Sequence, residues 1–399
     1  MSGKKISMLP VKLIFCCLIL SLLPGCLGGR EINDLEIVVG IAVDKGQEPG
    51  SIILTAQIVK PSEMGKSSRD SSSGKDNKAY WNVNYTGETV FEAARQITHI
   101  TGNKLFLAHE QVVIFGKDIA EESIQKYIDF FLRANTVRPS TLVLVAEGRA
   151  SDILDTVSGK EKLPAINAAK LISHYDFTSQ LYEINLNNFA ERLLSNTTSP
   201  IAPLIKVVAA DKDKDVSVSG MAVFNRGKMV GKLDQDETRG LLWVLDKVIS
   251  GVINVPVPDG QGKAALEIID AKSEITPVID GDKIFINIKV REKATLAEQS
   301  TTENLATVRG LEALQKSQAE AIRQEILAAC NKSRELNSDI FGFGDMLHKK
   351  YGKQWNTMEG QWKDIYPTIK LNIDVQTKII GTDLLTRPAA PKRGEKSEY

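Results

Sequence analysis

The sequence predicts an α+β protein of more than one domain: an N-terminal sheet with packed helices, then a C-terminal, mainly antiparallel sheet with long helices. Three observations predict it. Runs rich in Ile and Val alternate with helical periods through the first half. In the second half, long alternating strands flank Asp280-Gly281-Asp282, a strong hairpin signal. One helical period then extends from about Thr302 to Leu336.

The chain opens with Lys4, Lys5 and Lys12, an apolar run from Leu13 to Leu23, and Pro24-Gly25-Cys26. Basic, apolar, then small residues at a cut site is the order of a secretory leader. A spanning helix needs roughly 20 apolar residues, and this run stops short of that. A cysteine directly after the small residue marks lipoprotein export, because its thiol accepts the diacylglyceryl group before cleavage. Cys26 is therefore the expected lipid attachment site, with S-diacylglyceryl and N-acyl groups, although Pro24 is unusual at its place in such a motif. One myristoyl chain binds a membrane only marginally, at about 0.8 kcal/mol per buried methylene, so two or three chains on one cysteine are what make a stable anchor.

After the leader, Glu36 to Asp44 and Ser51 to Lys60 read as a hairpin, and the Ser-, Gly- and Lys-rich stretch from Ser62 to Lys78 reads as a surface loop. Ala79 to Tyr85 resumes as a strand. A helix capped by Thr86 or Gly87 follows, with Val90, Ala94, Ile97 and Thr101 on one face. Lys104 to Phe115 is expected as one strand, and Ile119 to Ala134 as one helix burying Ile124, Ile128, Phe131 and Leu132. Ser140 to Ala146 gives a strand, Asp152 to Val157 and Ala165 to Ser173 short helices, and Asn187 caps a helix through Leu194. Asn196 to Pro203, with two prolines and no hydrophobic period, reads as an extended linker.

Strands then follow at Leu204 to Ala210, Val216 to Asn225 and Lys228 to Leu233, and a helix capped by Asp234 or Asp236 runs through Ile249. The hairpin strands are Ala265 to Ile279 and Lys283 to Lys293. The long helix, a further helix from Ile340 to about Trp355 and a last alternating strand from Thr368 to Ile380 complete the body. The expected domains are thus a signal peptide over 1–25, an N-terminal α+β domain over 26–199, a C-terminal α+β domain over 200–386 and a disordered tail over 387–399.

Chemistry-bearing patterns are few. With Cys16 and Cys17 in the leader and Cys26 acylated, Cys330 stands alone on or beside the apolar stripe of the long helix and reads as a buried, inert thiol. His99, His109, His174 and His348 show no metal-binding spacing, and His109-Glu110, placed in a strand, would point to opposite faces. There is no Gly-x-Ser-x-Gly elbow. Asp234, Asp236 and Glu237 are explained by the positive end of a helix dipole. Arg239-Gly240 reads as a close-contact position, since glycine inside a helix must be offset by packing. Trp355, Trp362, Tyr351 and Tyr366 form an aromatic group, read as core with a partner-facing or membrane-interface patch as the alternative. Loss of the three leader lysines leaves 47 basic against 50 acidic residues, so there is no positive field of the kind nucleic-acid binders concentrate. Neither catalytic residues, nor a cofactor, nor a metal site is expected.

Four stretches resemble the Ger(x)C family, the C-subunit lipoproteins of spore germinant receptors. They are Gly25-Cys26 with Arg30-Glu31-Ile32-Asn33-Asp34-Leu35 and the strand ending Gly40-Ile41-Ala42-Val43-Asp44; Gly87-Glu88-Thr89-Val90-Phe91-Glu92-Ala93-Ala94-Arg95; Asp129-Phe130-Phe131-Leu132-Arg133 before Leu142 to Ala146; and Gly220-Met221-Ala222-Val223-Phe224 leading through Asp236-Glu237-Thr238-Arg239-Gly240-Leu241-Leu242-Trp243 to Ser250-Gly251-Val252. Leu27 departs from the Trp the family often has after its cysteine. The resemblance implies a non-enzymatic subunit on the outer face of the spore inner membrane, assembled with integral-membrane A and B receptor subunits. It carries over one site residue, Cys26. The competing expectation is an exported lipoprotein that binds a solute or acts as an enzyme of the cell envelope.

Overall fold

The computed structural model describes residues 34–65, 78–158, 160–210, 213–257 and 262–382. The leader, Cys26 and the 387–399 tail lie outside the described residues, as does most of the expected 62–78 loop.

β1 (Leu35–Lys45) and β2 (Ile52–Val59) form the expected hairpin, and β3 (Tyr80–Gly87) adds antiparallel to β2. α1 (Val90–Thr101) is capped by Thr89, whose hydroxyl accepts the Glu92 N–H, not by Thr86 or Gly87. It ends at Gly102, whose φ of 78° favours glycine. The expected single strand from Lys104 to Phe115 is two: β4 (Lys104–Phe106) pairs with the start of β1 and β5 (Val112–Phe115) with its later half. A tight turn at Leu107–His109 carries the chain between them, past an irregularity in β1 at Val38/Gly40. His109-Glu110 is therefore not in a strand, and Glu110 is buried.

The expected helix over Ile119 to Ala134 is likewise split, into α2 (Lys117–Glu122) and α3 (Gln125–Arg133). The Ile124 N–H leaves the helical ladder and donates to Gly227 O at 2.8 Å. Leu132, expected inside, is 42% exposed. Then come β6 (Leu142–Ala146), α4 (Ala150–Asp155), α5 (Pro164–Ser173), and α6 (Leu186–Leu194), which Asn185 caps in place of Asn187.

β7 (Ile201–Ala210), β8 (Asp213–Asn225) and β9 (Lys228–Leu233) continue the same sheet, whose order is β3-β2-β1-β5-β6-β7-β8-β9 with β4 beside β1. Its centre, β1-β5-β6-β7, is parallel, and antiparallel hairpins close both sides. β5 and β6 are buried along their whole length, as continuous apolar runs covered on both faces must be. β7, β8 and β9, expected in a second body, thus belong to the first sheet. Pairing decided this: Val145-Ala146 of β6 receives Leu204-Ile205 of β7 as its parallel neighbour.

α7 (Gln235–Val244) starts at Asp234 with a full capping box to Glu237. It stops before Ile249 because Asp246 turns left-handed, at φ 57°, and its carboxylate accepts the Ser273 N–H at 2.7 Å. β10 (Gly251–Pro256), which periodicity did not reveal, opens a second sheet of order β10-β11-β12-β13. β11 (Lys263–Asp280) and β12 (Lys283–Gln299) make the predicted hairpin. α8 (Val308–Glu335) packs on α7 and on that sheet, with Leu314, Ile322, Ile326 and Ala329 buried, and begins later than expected because Thr307 caps it. α9 (Phe343–Lys350) and α10 (Gly352–Met358) replace the single helix from Ile340, and β13 (Lys370–Gly381) closes the sheet parallel to β12. One continuous apolar core underlies both sheets.

Candidate functional site

Cys26, the one residue carried as a site, lies eight positions before Asp34, the first described residue. The chain enters the body at β1, where Leu35 pairs with Lys104 and Asn103 donates to Glu36 at 3.2 Å. Beside this entry is a cleft of about 670 Å³ between α1 and α3, lined by Phe91, Leu105, Leu107 and Phe130 and rimmed by Arg95, Lys104, Lys126 and Arg133. The Phe91 and Phe130 rings stand 6.0 Å apart, and the Arg95 guanidinium lies 5.0 Å from the Phe91 ring.

The segment expected as an extended linker, Asn196 to Pro203, forms a hydrogen-bonded seam between the two halves. Asp345, near the start of α9, accepts the hydroxyls of Thr197 at 2.9 Å and Thr198 at 2.6 Å, with Ser195 at 3.2 Å. Ser199 N–H donates to Asp339 O, and Arg192 donates to both Ser199 O and Ile340 O. Asp339 accepts three backbone N–H groups, from Gly342, Phe343 and Gly344, yet burial pushes its carboxyl up to about 6. Two prolines and the lack of a hydrophobic period read as a linker in the sequence; here the Ser and Thr hydroxyls satisfy a carboxylate 147 to 150 residues away.

A second contact joins the halves at Arg239-Gly240. A Cβ on Gly240 would stand 2.0 Å from Glu325 O of α8, so glycine is what lets α7 and α8 touch backbone to backbone. On the same line the Arg239 guanidinium is bidentate on Glu325, and Trp243 Nε1 donates to Glu325 at 2.9 Å. Burial opposes the Arg239 charge, but the bond to Glu325 outweighs it and holds the guanidinium pKa above its ordinary value. The close contact read from Arg239-Gly240 is thus present. Its partner Glu325 carries no sequence signal, being 86 residues on from Arg239.

Trp355, Trp362 and Tyr366 are buried, with Trp355 and Trp362 ring centroids 5.2 Å apart and His348 stacked on Trp355, so the aromatic group is core and not an exposed patch. Cys330 is buried too, and burial pushes its thiol up to about 12, which keeps it inert. His99, His109, His174 and His348 stand on separate elements, and among the described residues no group of three or more His, Cys, Asp or Glu could hold a metal ion.

Two family models match the chain in succession: the spore germination protein N-terminal domain over residues 28–207, and the C-terminal domain of the spore germination B3/GerAC-like proteins over 219–383. The chain belongs to the Ger(x)C family of spore germination proteins. Similar members run end to end with it: spore germination protein KC of Bacillus subtilis (strain 168) is 25% identical over 92% of this chain and 94% of its own, and YndF of the same organism is 26% identical over 95% and 98%. The crystal structure of the GerBC protein superposes with a TM-score of 0.58 at 20% identity, covering 86% of this chain and 97% of that one, so the Ger(x)C fold is shared. The two Ger(x)C models leave 208–218 between them, a stretch inside the β7–β8 hairpin of the first sheet.

Proposed function

We propose that this Ger(x)C protein is the lipid-anchored C subunit of a spore nutrient germinant receptor, held by acyl chains on Cys26 to the outer face of the spore inner membrane. It acts without catalysis, by assembly with integral-membrane A and B subunits. The observation that carries this reading is the match of both family models, in order, across nearly the whole body, behind a leader that ends in Leu-Pro-Gly-Cys. Among the described residues no helix is long and apolar enough to cross a membrane, so nothing found there duplicates the anchor. The seam and the α7–α8 contact weld both halves into one core, which suits a body that passes force or position to neighbours.

The test joins palmitate-analogue labelling to identification of co-purifying proteins. Wild-type chain should take the label and bring down polytopic membrane proteins, and Cys26→Ala should lose the label. Deleting the gene should abolish the response to particular nutrients while sporulation continues. A protein found free in solution with an unmodified Cys26, or a deletion strain that germinates normally across a broad nutrient panel, overturns the proposal.

A further inference from the structure

We infer that the α1–α3 cleft is the face with which this chain lies on an anionic phospholipid bilayer. The inference rests on the anchor reading above and adds to it which side of the body meets the lipid.

Two independent observations converge. The first is reach. Eight residues separate Cys26 from Asp34, and eight residues extend to at most about 28 Å. Any acylated Cys26 therefore keeps the start of β1 within that distance of the bilayer, and the start of β1 pairs with Lys104 on the rim of the cleft. The second is chemistry. Arg95, Lys104, Lys126 and Arg133 surround the opening; Asp129 neutralises Arg133 at 2.7 Å, which leaves three cations in excess. Glu36 accepts from Asn103, and Glu92, in the first turn of α1 beside Phe91, has its carboxylate turned back to accept the Glu88 N–H at 2.9 Å. Between the cations Phe91 is 55% exposed. Arg95 lies over the exposed Phe91 ring, with Lys104 and Lys126 on the same rim, and an interface of phosphate headgroups over acyl carbon accommodates both the ring and the cations.

Without its leader the chain carries 47 basic against 50 acidic residues, so attraction to an anionic surface must come from a local excess of this kind. The anchor supplies proximity and the cleft supplies orientation.

The test uses the mature-length chain, residues 26–399, with Cys26→Ala, so that acylation plays no part. Its sedimentation is measured with vesicles of phosphatidylcholine alone and with 30% phosphatidylglycerol. Each basic group beside an anionic leaflet changes partitioning about fivefold, so Arg95→Gln, Lys104→Gln and Lys126→Gln together should weaken binding on the order of 100-fold. All three are exposed, so the circular dichroism and melting of the triple variant should match the parent. A fluorophore on Phe91→Cys labels one place, since Cys330 is buried, and should shift to the blue only with the anionic vesicles. Equal binding to neutral vesicles, or equal binding by the triple variant, overturns the inference. A probe silent with every vesicle but shifted by detergent-solubilised spore membrane proteins also overturns it, and gives the face to a protein partner. Failure of the anchor reading is separate: it appears as wild-type protein that takes no palmitate label, whatever the vesicles show.

Discussion

The contact between α7 and α8 allows a sharp test through Gly240→Ala. The added methyl would lie 2.0 Å from Glu325 O, 2.6 Å from Glu325 C and 2.9 Å from the Ala329 Cβ. Two of those atoms are backbone in the middle of a 28-residue helix and cannot rotate away. The helices must therefore part by more than 1 Å, roughly the gap between these distances and ordinary contact. Overpacking of this kind costs about 1–3 kcal/mol. Parting also stretches the bond from Trp243 Nε1 to Glu325, now 2.9 Å, and loosens the buried Arg239–Glu325 pair. Breaking such a pair outright costs about 3–5 kcal/mol, and a partial loss adds a fraction of that. Against these stands the better helix propensity of alanine, about 1 kcal/mol. The net expectation is a loss of about 3 kcal/mol. Urea unfolding followed by the fluorescence of the buried tryptophans measures it, with Gly352→Ala as the control, because nothing lies within 4 Å of a Cβ at Gly352 and that change should stay within about 0.5 kcal/mol. A Gly240→Ala midpoint indistinguishable from the control would show that the two helices are not held backbone to backbone, and the reasoning would fail.

Glu325→Ala should be costlier than Gly240→Ala, about 3–5 kcal/mol, since it leaves the buried Arg239 charge and the Trp243 N–H without their acceptor; if Arg239→Met with Glu325→Met is no more stable than Glu325→Ala alone, the penalty is not that of an orphaned charge. Glu292 is 2% exposed, and burial pushes its carboxyl up to about 8 from 4.5 despite the bond from Gln318. Its contribution to stability is therefore fully present below about pH 4.5 and lost as pH rises through about 8. Glu292→Gln should remove that loss: at about 1.4 kcal/mol per pH unit, discounted for relaxation, the variant should gain about 3 kcal/mol over wild type by pH 8 and be equal to it near pH 4.5. Parallel pH–stability curves for the two proteins would refute this. Asp345→Ala should free the seam, exposing the backbone around Thr197 and Thr198 to hydrogen exchange while β5 and β6 stay protected; unchanged exchange there would mean that the segment is held by its backbone alone.

Sequence by itself determined what periodicity and local chemistry encode. The β1–β2 hairpin, the Asp280-Gly281-Asp282 hairpin, a helix start at Asp234 or Asp236, the long helix and the alternation of β13 are all local patterns, in which each residue's fate depends on neighbours a few positions away. Gly240 was legible as a contact for the same reason, because glycine inside a helix has a local cost that something must offset. The leader and Cys26 were legible as a linear motif and remain the proposed anchor.

Tertiary structure decided what depends on partners distant in the chain. Ile124 leaves its helix for Gly227, Asp246 ends α7 by bonding to Ser273, and Ser195, Thr197 and Thr198 turn a composition typical of linkers into the ligands of Asp345. It also decided that β7, β8 and β9 complete the first sheet, which no local pattern could convey. A strand's own residues specify which face is buried, but not which strand lies beside it; that choice is settled by pairing across the fold, where buried backbone groups must find partners.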